Sequence, residues 1–311
     1  LRIPGFFRYT EALELQLTRV LNGEIPVKEA LDKVAAHWET ITDDLGRDQQ
    51  LAIYRASMGL SPEPNGLRPQ AVAKQRRVVI GFSQATTTEP WRLLFNKELR
   101  EEAAKYPQIE LIVKDGMDKV EQQVADMEAF IAQRVDAILI SPKVADALTP
   151  VVSKAFDVGI PVIVLDRDVL NDRYVQFIGG DNHEIGRAAG RYAVKLLGGP
   201  GQARGKMVEI WGGMASTPAQ DRHEGFHEIV SREPGIQIVN QPRDGDWKQD
   251  RGYEIMAEAL EKQPTIDLVY AHNDPMAYGA YQAAKDAGRE KGIAFLGIDG
   301  IPAEGVKWIN D

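Results

Sequence analysis

Four residue types recur where apolar runs of this sequence stop. Trp91 and Arg92 end the polar loop after Val78–Phe82, and Asp166, Arg167 and Asp168 follow Pro161–Leu165. Gly180-Asp181-Asn182 comes after Tyr174–Ile178, Asn273 and Asp274 after Ile266–Tyr270, and Asp299 after Ile293–Gly297. Arg222 and the pair Asp246-Trp247 fall in loop or first-turn positions between the runs of the second half. Trp91, Arg92, Asp166, Arg167, Arg222, Trp247, Asn273 and Asp299 together have the chemistry of a sugar site. Carboxylates and amides exchange paired hydrogen bonds with vicinal hydroxyls, a guanidinium supplies a planar fork of donors, and an indole covers the apolar C–H face of the ring. Each position also has a plainer use. Asp181 and Asp274, directly before helical stretches, suit N-caps; either Trp could be a core aromatic, and Asp166-Arg167-Asp168 a surface charge cluster.

A second chemistry is written in His223-Glu224-Gly225-Phe226-His227, which matches H-E-x-x-H. Two histidines one helical turn apart can bind zinc while the glutamate activates water, which would make a zinc hydrolase of His223, Glu224 and His227. Gly225 weakens that helix, and no third ligand is offered downstream, where His272 is the only later histidine. The plainer reading is a helix with solvent-facing histidines, Phe226 packed inward and Gly225 allowing close approach to the sheet. Phosphate signatures fail. The glycine-rich stretch 198–207 has Pro200 and Met207 where a Walker loop needs Gly and Ser or Thr, and no G-x-G-x-x-G opens a helix after the first strand.

Composition narrows the classes further. A chain of 311 residues with 43% hydrophobic and 27% charged residues can bury about two cores and is not intrinsically disordered. A net charge of −9 argues against a duplex-binding surface, which needs clustered Lys and Arg. With no cysteine, disulfides, thiolate metal sites and cysteine nucleophiles are excluded, and the composition fits an oxidising compartment.

The candidate residues must be held by elements of two textures. Before residue 60, apolar residues recur at helical spacing, as in Val27, Leu31, Val34, Trp38 and Ile41, with Gly23, Gly46 and Gly59 as stops. The spacing predicts two or three helices over 1–60. Ser61 to Pro69 holds three prolines and a glycine in nine positions, so 61–76 reads as a linker. Nine short apolar runs then alternate with amphipathic helices: Val78–Phe82, Ile109–Val113, Asp136–Ile140, Pro161–Leu165, Tyr174–Ile178, Lys206–Ile210, Ile236–Gln241, Ile266–Tyr270 and Ile293–Gly297. That order predicts right-handed βαβ crossovers and doubly wound α/β lobes with parallel sheets. Two sheets are expected, because the pattern restarts after Gly179-Gly180. In such sheets ligands sit beyond the carboxyl ends of the strands, where the candidates cluster.

From about Arg77 to Asp311 the sequence resembles the type 1 periplasmic solute-binding proteins, the ribose-binding-like branch of ABC sugar importers. The resemblance rests on 78–82, 136–142 and 159–167, on Gly179-Gly180-Asp181-Asn182 and Asp221 to Phe226, and on 273–280 and Gly297-Ile298-Asp299-Gly300. It implies two Rossmann-like lobes joined by a hinge, 77–180 and 181–298, with 299–311 starting the return across the hinge. The ligand would be a monosaccharide or polyol, captured outside the cytoplasm by a monomer and delivered to a membrane permease. No catalysis, cofactor, metal or nucleic acid is implied. Carried over from the family, Arg167 and Arg222 would donate to ring or hydroxyl oxygens, Asp166, Asn273 and Asp299 would bind hydroxyls, and Trp91 or Trp247 would stack. The same fold also serves as a sugar-sensing effector domain in transcription regulators and sensor systems, but 1–59 has more acidic than basic residues and no basic recognition helix.

The match breaks at both ends. The family normally adds a further strand and a last helix beyond the Asp-Gly of Asp299-Gly300, so a C-terminal return is expected to be missing. Residues 1–60 resemble instead the C-terminal helices of the maltose-binding-like ABC solute-binding proteins. The expectation is a piece of a tandem fusion, open at both ends.

Overall fold

The computed structural model describes residues 6–48, 50–51 and 77–310. The linker 61–76 and Gly59 lie outside the described residues. The chain forms two compact units, Leu1–Lys74 and Gln75–Asp311.

In the first unit, α1 (Phe6–Leu21) and α2 (Val27–Asp44) have a small common core of Tyr9, Ala12 and Ile41. The Trp38 indole N–H donates to the Tyr9 carbonyl at 2.8 Å, and the two rings meet edge to face. Gly23 and Gly46 follow the helices with φ of 74° and 81°, a left-handed turn that glycine adopts without penalty. The expected apolar stripe is only partly inward. Ala30, Val34 and Ile41 are buried, while Val27 and Leu31 are exposed, because a small two-helix core covers only part of the stripe.

The second unit alternates strand and helix: β1 (Val78–Gln84), α3 (Pro90–Ala103), β2 (Ile109–Asp115), α4 (Val120–Gln133), β3 (Ala137–Ser141), α5 (Ala145–Asp157), β4 (Val162–Leu165) and β5 (Gln176–Ile178). The chain then passes through Gly179-Gly180 to α6 (Asn182–Leu196), β6 (Arg204–Ile210), α7 (Thr217–Val230), β7 (Gly235–Ile238), α8 (Gln249–Lys262), β8 (Leu268–Ala271), α9 (Asp274–Asp286), β9 (Ala294–Leu296) and α10 (Gly305–Asn310). The sheet orders are β2-β1-β3-β4-β5 and β7-β6-β8-β9, with every pair parallel. This is the expected pair of doubly wound lobes.

Helices cover both faces of each sheet, which is why the strands are apolar almost throughout. In the first lobe, Met127, Phe130, Leu148 and Val152 cover Ile138, Ile140, Val162 and Val164. In the second, alternate residues of β6 and β8 face opposite helix layers: Val208, Ile210, Val269 and Ala271 meet α8 and α9, while Met207, Leu268 and Tyr270 meet α6 and α7. Phe226 of α7 stacks on Tyr270 with centroids 4.1 Å apart. Burying such a ring contributes about 1.5–3 kcal/mol. Two helix pairs touch through glycine: a Cβ at Gly225 would strike the His183 carbonyl of α6, and one at Gly279 would strike the Gln249 carbonyl of α8. Gly225 therefore permits close approach to a neighbouring helix, not to the sheet as its sequence context suggested. Among the described residues, no helix is long and apolar enough to cross a membrane.

Candidate functional site

A cavity of about 320 Å³ opens between the carboxyl ends of the two sheets. All eight candidate residues line it: Trp91, Arg92, Asp166 and Arg167 from the first lobe, and Arg222, Trp247, Asn273 and Asp299 from the second. Parallel strands end on one side of each sheet, so each strand-end loop delivers its first residues to the same cleft.

In the first-lobe wall Arg92 is 1% exposed. Its guanidinium donates to Gln84 Oε1, to Ser141 Oγ at 3.0 Å, to Glu89 Oε2 at 3.2 Å and to Asp166 Oδ2 at 3.4 Å. Arg92 thus fixes two carboxylates at the cavity edge. Asp166 lies in the left-handed region with φ 63°, its N–H donating to the Ile178 carbonyl at 2.8 Å, so the turn after β4 is tied to β5. Arg167 is buried, donates to the Lys143 carbonyl at 3.5 Å and lies over the Trp247 ring. Burial and the neighbouring Arg92 push its pKa down to about 10, which leaves it charged at neutral pH. The charge-cluster reading of 166–168 therefore fails for Arg167, which is inside. Trp91 stacks on Phe95 at 5.3 Å and stays half-buried at the cavity.

In the second-lobe wall Arg222 Nε donates to Asn182 Oδ1 at 2.9 Å, and Nη1 donates to the His272 carbonyl. Nη1 also stands 3.9 Å from Asp299 Oδ1. That carboxyl is pushed up to about 7, first by burial and then by Asp274, Asp166 and Glu89, with Arg222 pulling the other way. Trp247 is 7% exposed, with φ 63°, and its ring lies so close over Gly212 and Gly213 that a Cβ on either would collide with it. Arg167 and Arg222 both lie over this ring, at 5.4 and 5.5 Å, so it joins the two lobes' cations across one aromatic surface. Its core position agrees with the plainer reading of an indole there.

Asn273 is the cap of α9: its Oδ1 accepts from the Met276 N–H at 3.0 Å and its Nδ2 donates to the Trp247 carbonyl at 3.0 Å. The cap expected at Asp274 is therefore displaced by one residue, and Asp274 instead accepts from the Gly300 N–H at 2.7 Å, tying α9 to the Asp299 turn. Asp181 does cap α6, accepting from the Glu184 N–H at 2.8 Å. Glu89, Asn182 and Glu304 also line the cavity and are not among the eight candidates. Asn182 sits in the strand-end trio that sequence reading marked, and Glu89 sits in the loop before Trp91; Glu304 has no such signal.

A polar bridge crosses from lobe to lobe beside the cavity. Lys248 Nζ reaches Asp118 Oδ2 at 3.0 Å and Asp246 Oδ2 at 2.5 Å, while Lys143 pairs with Asp118 and lies 3.7 Å from Asp246. Burial acts to raise the Asp118 pKa, but hydrogen bonds from Lys143 and Lys248 carry it net below its ordinary value. The Asp168 N–H adds a bond to Thr217 Oγ1 at 2.9 Å.

The H-E-x-x-H segment has a different environment from either reading of it. His223 and His227 are half-buried, not solvent-facing, and both meet Glu209 of β6. Glu224 is exposed, so the enclosed position that a water-activating glutamate requires is not its own.

The comparisons agree with this architecture. A family model described as "Periplasmic binding protein domain" matches residues 80–311. The galactofuranose-binding protein YtfQ of Escherichia coli is 36% identical over 233 residues, spanning 72% of each chain. The ribose import binding protein RbsB of Bacillus subtilis is 30% identical over 237 residues, covering 76% of this chain and 74% of its own. Among solved structures, the fructose binding periplasmic domain of a hybrid two-component system superposes with a TM-score of 0.72 at 39% identity, over 75% of this chain and 77% of that one. The arabinose ABC transporter's periplasmic binding protein from Shewanella, bound to L-arabinofuranose, gives a TM-score of 0.67 at 33% identity, over 73% and 75%. With two parallel-sheet lobes around a polar cleft and these relatives, the chain belongs to the type 1 periplasmic binding protein family, in its ribose-binding-like, sugar-binding branch.

Proposed function

We propose that the second unit captures one monosaccharide or polyol between its lobes, outside the cytoplasm and without catalysis, and presents it as a monomer to an ABC permease. The observation that carries this reading is the convergence of eight strand-end and loop residues on one cleft of about 320 Å³, near the lower bound of about 300 Å³ for small-molecule sites. Arg167 and Arg222 are the hydroxyl and ring-oxygen donors. Asp166, Asp299 and Asn273 are the acceptors, and Trp91 is the ring that covers a C–H face. Arg92 and Trp247 act behind them, Arg92 by holding Asp166 and Glu89 and Trp247 by backing both arginines. A sugar that touches both walls favours closure through contacts that an open cleft cannot make. The net charge of −9 gives no support to a nucleic-acid partner.

Relatives whose names mention galactofuranose and arabinofuranose favour five-membered rings among the candidates. Calorimetry of the full chain against galactofuranose, arabinose, ribose, fructose and myo-inositol is the test. Saturable heat with at least one, lost in Arg222→Ala, is the expected result. No heat with any of them from a folded chain would overturn the reading.

A further inference from the structure

Behind the second-lobe wall lies a cluster that the sugar cleft does not use. Alternation along β6 sends Met207 and Glu209 to the α7 side, and Met207 enters the apolar core there. Glu209 places a carboxylate in that same layer with its side chain 4% exposed. Its Oε1 lies 2.9 Å from His223 Nδ1 and 3.2 Å from His272 Nε2, and its Oε2 lies 2.9 Å from His227 Nε2. Among the described residues no Lys or Arg reaches this carboxylate; its charged-group contacts are imidazoles. A buried carboxylate so placed is stabilised by a cation.

We propose that Glu209, His223 and His227 bind a divalent transition-metal ion of the zinc type, with His272 orienting the carboxylate. One ligand atom from each of the three residues falls within 4.8 Å of the others, the spread of donors around a shared ion with bonds of about 2.0–2.2 Å. His223 and His227 are one turn apart on α7 and reach the ion from one helix face. Two imidazoles with one carboxylate select zinc, copper or nickel over magnesium or calcium. His272 is fully buried and its Nδ1 has no partner, so the ring serves through Nε2–H donated to Glu209 Oε1, the orienting bond that metal carboxylates need. The Trp211 ring lies over His223 at 4.1 Å and closes one side, while His223 and His227, 26% and 37% exposed, leave a path for entry. With Glu224 exposed, the site is a clip between β6 and α7 and not a hydrolytic centre.

The test is zinc titration of the chelator-stripped full chain at neutral pH, by competition with a chromophoric chelator, with magnesium and calcium as controls. The expected result is one bound equivalent of zinc, an unfolding midpoint that rises with zinc and not with magnesium or calcium, and affinity at least about tenfold weaker in His223→Gln and in His227→Gln. His37→Gln and His183→Gln, the remaining two of the five histidines, leave zinc affinity unchanged. Circular dichroism separates a lost site from a lost fold. No zinc retained by the folded wild-type chain, or equal zinc retained by the folded His223 and His227 variants, would overturn the proposal.

Discussion

Asp299→Asn tests whether burial at the cleft sets the chemistry of its wall. The Asp299 side chain is 11% exposed and its carboxyl is pushed from its ordinary 3.8 up to about 7. Between these two values the native chain keeps a proton that the unfolded chain has released. The stability that this protonated carboxyl contributes therefore falls as pH rises through this window, by about 1.4 kcal/mol per pH unit, and that contribution is gone above the native value. Three units make about 4 kcal/mol, an upper bound because Arg222 loses its facing carboxylate in the variant. An amide mimics the protonated acid and cannot ionise. Without sugar, the variant should match the wild type near about pH 4 and exceed it by a few kcal/mol near about pH 8. Urea unfolding at both pH values reads the difference. A gap that does not change with pH, or a variant less stable at the higher pH, would refute the burial argument. The same variant should bind sugar more weakly, since the costly carboxylate is also the proposed acceptor; stability gained at a binding residue at the expense of function is the expected trade.

Arg222→Ala removes the donors to Asn182 and the His272 carbonyl along with the cleft contact, and at about 1.5–3 kcal/mol for a charged hydrogen bond to the ligand the sugar Kd should rise about 10- to 150-fold by calorimetry; a change of only about two- or threefold would show that Arg222 does not touch the ligand. Lys248→Met cuts the bridge to Asp118, and because both side chains are about a third exposed the loss should stay under about 1 kcal/mol, seen as a few-fold weaker sugar affinity with less salt dependence; unchanged affinity at low salt would remove the bridge from closure. Gly225→Ala drives a Cβ into the His183 carbonyl and should destabilise by about 1–3 kcal/mol in urea, against the gain of about 1 kcal/mol that helix propensity alone predicts; a more stable variant would mean that α6 and α7 can separate freely.

The parallel sheets were legible because burial on both faces leaves strands such as Val162–Leu165 almost wholly apolar, a pattern that survives without knowledge of neighbours. The cleft followed from one topological rule about strand ends. What the rule could not convey was which atoms of each residue were already engaged. Arg92 and Arg167 read alike in sequence, yet Arg92 is spent on Gln84, Ser141, Glu89 and Asp166, while Arg167 has a long bond to the Lys143 carbonyl, a 3.9 Å approach to Asp166 and the face of Trp247. Glu209 was hidden for a related reason. A single acid inside Arg204–Ile210 carries no signal by itself, and its meaning comes from His223 and His227 lying across the layer on α7. A motif search that looks downstream for a third ligand passes over one supplied fourteen residues upstream.

Backbone geometry explains why the strand-end aspartates read two ways. Among the described residues seven non-glycine positions have positive φ, and five of them, Asp118, Asp166, Asp246, Trp247 and Asp299, stand at the cleft or the bridge beside it. Each left-handed residue costs about 1–2 kcal/mol, least for Asp and Asn, whose short side chains tolerate it. A turn that folds back over a strand end therefore selects the same residue type that a sugar hydroxyl selects. An aspartate after a strand is ambiguous by itself for this physical reason. Trp247 breaks the tie, because an indole gains nothing from that conformation, and the strain is held by packing over Gly212 and by the Asn273 bond to its carbonyl. Strain kept at Trp247 holds the ring over which the arginines of both lobes lie, and that charged pair is the part of the cleft on which the proposed capture rests.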